Sequence, residues 1–117
     1  MLSSEAPAPP PVRTRRGDGE RLREAVLRLA GPHGTLARHS HKNWASITFA
    51  GARHRLELVF DGADAVEAGE LFVAALADHE FTISGQLVAE AAVVAVDHRL
   101  HPARLQVTCE ILLLEDA

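Results

Sequence analysis

The clearest signal in the chain is alternation of apolar and polar positions, and it predicts two hairpins. In NWASITFAGARHRLELVF, a two-residue turn at Gly51-Ala52 puts glycine first, as a type II′ turn requires. That turn sets Phe49 opposite His54, Ile47 opposite Leu56 and Ala45 opposite Leu58, so one face is apolar except for His54. The other face pairs Thr48 with Arg55, Ser46 with Glu57 and Trp44 with Val59. A slip of one residue would drive Arg55 and Glu57 into the core, so the alternation predicts a sheet covered on one side.

The second hairpin is read from VVAVDHRLHPARLQVTCEILLL. With Leu100 to Ala103 as the loop, Val96 faces Val107, Val94 faces Cys109 and Ala92 faces Ile111, while Asp97 meets Gln106 and Ala95 meets Thr108. Leu112 and Leu114 break the alternation, which predicts cover on both faces at the end of the last strand, with another subunit as one source of that cover. The stretch before it, HEFTISGQLVAE, reads equally as strand or loop.

Two segments have helical period instead. Leu22, Ala25, Val26, Leu29 and Ala30 share one face of a helix that starts near Asp18 as its cap and stops at Gly31-Pro32. Val66, Gly69, Phe72, Val73 and Leu76 share one face of a second helix, from about Ala65 to Asp78, where Asp64 and Glu67 have the spacing of a capping box. The order α-β-β-α-β-β predicts an α+β fold. It has two layers: a mostly antiparallel sheet of at least four strands, with helices on one face. The expected core includes Ile47, Leu56, Leu58, Val73, Leu76, Val94, Val96, Val107 and Ile111.

Composition narrows the class. The chain has 117 residues, enough for one domain, and 47% are apolar, enough for a core. Residues 1–17, with the run APAPPP followed by Arg13, Arg15 and Arg16, read as a disordered arm, leaving 18–117 as the single domain. Residues 1–30 hold six arginines against four acids, whereas residues 31–117 hold six basic residues against twelve acids. A negative body repels phosphate backbones, so nucleic acid is an expected partner only through the arm. Aromatics make up 4%, which leaves few rings to stack on bases. The lone Cys109 excludes an intrachain disulfide. No apolar run approaches the ~18 residues that span a bilayer, and the first residues carry no signal-peptide core. The expectation is a cytoplasmic protein with no membrane partner.

Candidate chemistry centres on histidine. His39 and His41 point the same way in an extended segment, and His33 lies in the same connection, so the three form a possible zinc-ligand set. With the turn at Gly51-Ala52, His54 lies at the opposite end of the hairpin, roughly 23 Å from His41 at ~3.3 Å per residue, and does not join them. His54 then faces the core near Phe49, Leu56 and Phe72, where a pocket between helix and sheet could form. His98, near the second turn, meets His54 only if the two turns lie at one end of the sheet. Cys109 faces the core and reads as an inert thiol. No nucleophile elbow, phosphate loop or calcium loop is present, and no cofactor is implied.

The reading that follows is a small non-catalytic association domain, working as a homodimer or accessory subunit. Its contact candidates are Trp44 with Val59 on the polar face, and Leu112 with Leu114 at the end of the last strand. The alternatives are a small-ligand binder or enzyme with a pocket at Phe49, His54, Leu56 and Phe72, or a metal binder using His33, His39 and His41.

Overall fold

A computed structural model describes residues 14–115. Two helices, α1 (Thr14–Ala30) and α2 (Ala63–Leu76), pack on one face of a sheet of β1 (Gly34–Ala45), β2 (Ala50–Asp61), β3 (Gln86–Leu100) and β4 (Ala103–Glu115). Every neighbouring pair is antiparallel and the order is β1-β2-β4-β3, so β1 and β3 are the edges. The α-β-β-α-β-β order and the two-layer α+β architecture are as the alternation predicts.

Residues 1–13 of the arm, Arg13 among them, lie outside the described residues, but 14–17 form the first turn of α1. Asp18 is inside the helix and does not cap it. Arg21 reaches back one turn, donating from Nη2 to the Asp18 carboxylate at 2.8 Å and from Nε to the Gly17 carbonyl, and these bonds tie down the extra turn. The capping box before α2 also fails to form. Gly62 occupies the cap position at φ 99°, a left-handed backbone that favours glycine, and no side chain bonds there. Asp64 falls in the first helical turn, where its charge suits the helix dipole.

The first hairpin is built four residues earlier than the turn signal places it. Ser46 to Phe49 make the turn, closed by Ser46 N–H to the Phe49 carbonyl at 2.7 Å and by Phe49 N–H to Ser46 Oγ at 3.0 Å. Leu56 therefore pairs with His39 and not with Ile47, and His54 pairs with His41 and not with Phe49. The displacement leaves the parity unchanged, so Leu56 and Leu58 are still buried. Ile47 and Phe49 ride in the turn and are exposed, which removes Ile47 from the core and Phe49 from any interior site.

The second hairpin has the predicted register near its turn, with Val96 on Val107, Ala95 on Thr108 and Asp97 on Gln106. A bulge between Val93 and Ala95 then inserts Val94, so Val93 and not Val94 meets Cys109, and Ala91 and not Ala92 meets Ile111. Val94 leaves the core for this reason. Val96 keeps its pairing, yet it is half exposed and does not pack against the core cluster. Val73 is only partly buried.

The core lies between α2 and the β2–β4 pair, with Leu22, Val26 and Ala30 of α1 closing one side. Gly69 lets α2 sit directly on the sheet: a Cβ there would come within 2.7 Å of Leu105 and 2.8 Å of Phe60. Among the described residues no helix is long and apolar enough to cross a membrane.

Candidate functional site

The three histidines that share a face are His39, His41 and His54, because the early turn brings β2 back over β1. His41 and His54 are cross-strand partners, with ring centroids 5.3 Å apart. His39 Nε2 and His54 Nδ1 are 2.9 Å apart, so one ring donates its N–H and the other accepts. His33 stays in the turn before β1, exposed and apart from them. The predicted set of His33, His39 and His41 is thus not assembled. Among the described residues, no three or more His, Cys, Asp or Glu side chains are arranged to hold a metal ion.

Gly19 of α1 lies above this cluster: a Cβ on it would be 3.8 Å from the His54 ring and 3.9 Å from that of His39. Helix, hairpin and the ends of β3 and β4 enclose a cleft of about 480 Å³. Besides the histidines, its polar lining is Asp18, Asn43, Gln86 and Glu115, with Trp44 and Leu113 among the apolar parts. Gln86 Nε2 donates to the second Asp18 oxygen at 3.1 Å, pinning the start of α1 to the start of β3. Among the described residues the lining contains no Ser, Thr, Cys, Lys or Arg. These residues offer imidazoles, amides, two carboxylates and an indole, with no hydroxyl or thiol nucleophile among them.

Burial dominates the electrostatics. It pushes the His54 pKa down to about 4, with the neighbouring His39 and His41 adding to the effect. His39 is also held below its ordinary range, first by burial, then by the Arg23 guanidinium and by His41. Two imidazoles 2.9 Å apart have no room for two protons facing each other, so the geometry disfavours charging both rings and works in the same direction as burial. Burial pushes the Cys109 thiol up to about 11, helped by Glu110, which leaves it an inert core residue.

Of the predicted pocket residues, His54 alone lines the cleft. Leu56 and Phe72 are in the core beneath α2, and Phe49 is in the exposed turn. Leu112 and Leu114 are buried within the chain and are not free for a partner. Arg53 and Glu90 flank Leu112 in the register and join across it at 2.9 Å, and Leu114 lies between Gly51 and Leu87. A Cβ on Gly51 would meet the Leu113 carbonyl at 1.9 Å, so this close packing of β2 on β4 depends on glycine. Trp44 and Val59 are partly exposed, at opposite ends of the hairpin strands, and Val59 pairs with Thr35 in place of Trp44. His98 faces Leu105 near the β3–β4 turn, at the end of the sheet away from His54, as an ordinary crossover requires.

The rest of the outer sheet face is charged and largely satisfied within the chain. Arg55 pairs with Glu110 at 2.8 Å, Arg104 with Asp61 at 3.6 Å and Arg99 with Asp97 at 3.5 Å. The uncovered apolar surface includes one edge, where Val94, Val96 and Leu100 of β3 are 47%, 50% and 66% exposed.

No protein-family model matches the chain, and no curated protein does. Among solved structures, a chain in the virion of a native gene transfer agent particle is similar in fold, with a TM-score of 0.52 over 83% of this chain and 90% of that one. The identity is 15%, so the likeness is one of fold.

Proposed function

We propose that the protein is a non-catalytic association domain, working as a homodimer or as a subunit of a larger protein assembly. The observation that carries this reading is the β3 edge. It is a 15-residue strand with its outer backbone groups unpaired among the described residues and with Val94, Val96 and Leu100 uncovered. Long exposed edges are templates for pairing with another chain, and soluble monomers usually blunt them. The occurrence of this fold in a virion particle supports the same reading. The charged outer face, already paired within the chain, is a poorer docking surface.

Light scattering on the full chain tests it, with a mass above that of one 12.6 kDa chain as the expected result. Val96→Lys should lower that mass while leaving the thermal midpoint within about 2 °C, because a half-exposed valine contributes little to the monomer. A Trp44→Ser variant that alone became monomeric would move the contact to the Trp44 end of β1, away from β3.

A second reading, small-ligand binding, is favoured by the cleft at His39, His41 and His54. Trp44 is the sole tryptophan and lines that cleft, so ligand entry should change its emission. Titration with small organic cations and hydrogen-bonding heterocycles, which suit the carboxylates and imidazoles, is the direct assay. Unchanged emission throughout would count against this reading.

A further inference from the structure

We infer that the partner of the β3 edge is the β3 edge of a second copy, joined antiparallel about a two-fold axis between Val94 and Ala95, an arrangement that rests on the association reading. The starting observation is the bulge. Before it, Glu90 and Ala92 lie on the outer face of the sheet, opposite Leu112 and Glu110, and Ala91 and Val93 on the helix face. After it, Ala95, Asp97 and Arg99 lie on the outer face, and Val96 and His98 on the helix face. The extra residue therefore switches outer positions from even to odd numbers.

That switch decides which self-pairings are possible. A continuous sheet with both pairs of helices on the same side needs outer residues opposite outer residues. Across the bulge only an even residue opposite an odd one satisfies this. The axis between Val94 and Ala95 does so throughout. Glu90 meets Arg99 and Ala92 meets Asp97 on the outer face, while Val93 meets Val96 and Ala91 meets His98 on the helix face. An unbulged strand would have put inner against outer residues in this register.

Charge then selects among the registers that match. Moving the axis one residue toward the N-terminus of β3 sets Glu90 against Asp97, two like charges opposite each other. Moving it as far the other way sets Glu90 against His101 and Arg99 against Ala92, with no opposite charges paired. Only the central register makes two Glu90–Arg99 pairs. Both side chains are available, at 61% and 70% exposure. Glu90 already holds Arg53 and Arg99 lies beside Asp97, so each seam edge would carry the alternating row Arg53, Glu90, Arg99 of the partner copy and Asp97 of the partner copy. The same register covers the exposed Val96 of each copy with the other's Val93.

Charge reversal on the full chain tests this, read by sedimentation equilibrium with circular dichroism as the check on folding. Arg99→Glu faces Glu90 with a like charge twice per dimer and should weaken dimerisation about tenfold or more. Adding Glu90→Arg to it should restore the dimer, because the opposite charges are re-formed with their positions exchanged. A parent dimer unaffected by Arg99→Glu, or a double variant no tighter than the single one, overturns the register while leaving association through another surface intact. A parent chain that stays monomeric up to about 100 μM, some hundredfold above the micromolar range of modest complexes, overturns the register and self-association together.

Discussion

Replacing Phe60 by alanine is expected to destabilise the fold by about 3–5 kcal/mol, measured by chemical denaturation. The side chain is fully buried on β2, between Gly34 of β1 and Leu105 of β4, with its ring 6.0 Å from that of Phe72. Two glycines bring backbone against it. A Cβ on Gly34 would be 2.9 Å from the ring and one on Gly69 2.8 Å. Helix and neighbouring strand already touch the phenylalanine with no side chain between them. The two positions whose backbone lies against the ring carry no side chain that could swing into the space, so the cavity should persist and the cost should fall at the upper end. A loss below about 1 kcal/mol would mean that α2 settles onto the sheet to fill it.

Acidification should weaken the fold through His54, by about 2 kcal/mol between pH 7 and pH 5. In the unfolded chain an ordinary histidine titrates near 6.5, and in the folded one burial holds His54 near 4. Between those values the unfolded state binds the extra proton and the folded state does not. Stability is therefore complete above about 6.5 and falls as the pH drops toward 4. Below that the ring is protonated in both states and the loss levels off. His39, lowered in the same direction, adds to the slope. Asp18 and Glu115 line the same cleft, and Arg23 acts on His39 from α1, so the comparison must isolate one group. The difference in unfolding free energy between the parent and His54→Leu, followed from pH 7 to pH 5, isolates it. That difference should change by about 2 kcal/mol in favour of the variant. A pH-independent difference would show that the His39–His54 pair takes up a proton without cost.

The histidine cleft marks where reading the chain residue by residue stops working. The period-two pattern places His39 and His41 on one face, and it places His54 on the apolar face of its strand. Both statements hold in the structure. What alternation cannot supply is which residues sit opposite. Sliding β1 against β2 by an even number of residues leaves every inner side chain inner, so a turn at Gly51-Ala52 and one at Ser46 to Phe49 satisfy the pattern equally. The local signal that would have separated them is Ser46, whose hydroxyl accepts the Phe49 N–H and closes the earlier turn. Asp18, Gln86 and Glu115 come to the cleft from three other elements, Asp18 and Gln86 at a sequence separation of 68, and no short-range pattern links them.

The sequence by itself determined the element order, the inner face of β2, the inner faces of the two helices, and the register of β3 on β4 beside their turn. Each of these rests on side-chain period or on a nearby loop, and both are local properties. Tertiary structure alone decided the offset of the first hairpin, the bulge at Val94, the company of His54, and which apolar residues are covered. Val96 shows the reason most directly. Its pairing follows from its place in the strand, but its exposure depends on how far α2 and α1 extend over the sheet. Alternation records which side of a strand is apolar. Whether anything packs on that side depends on the lengths and positions of elements far away in the chain.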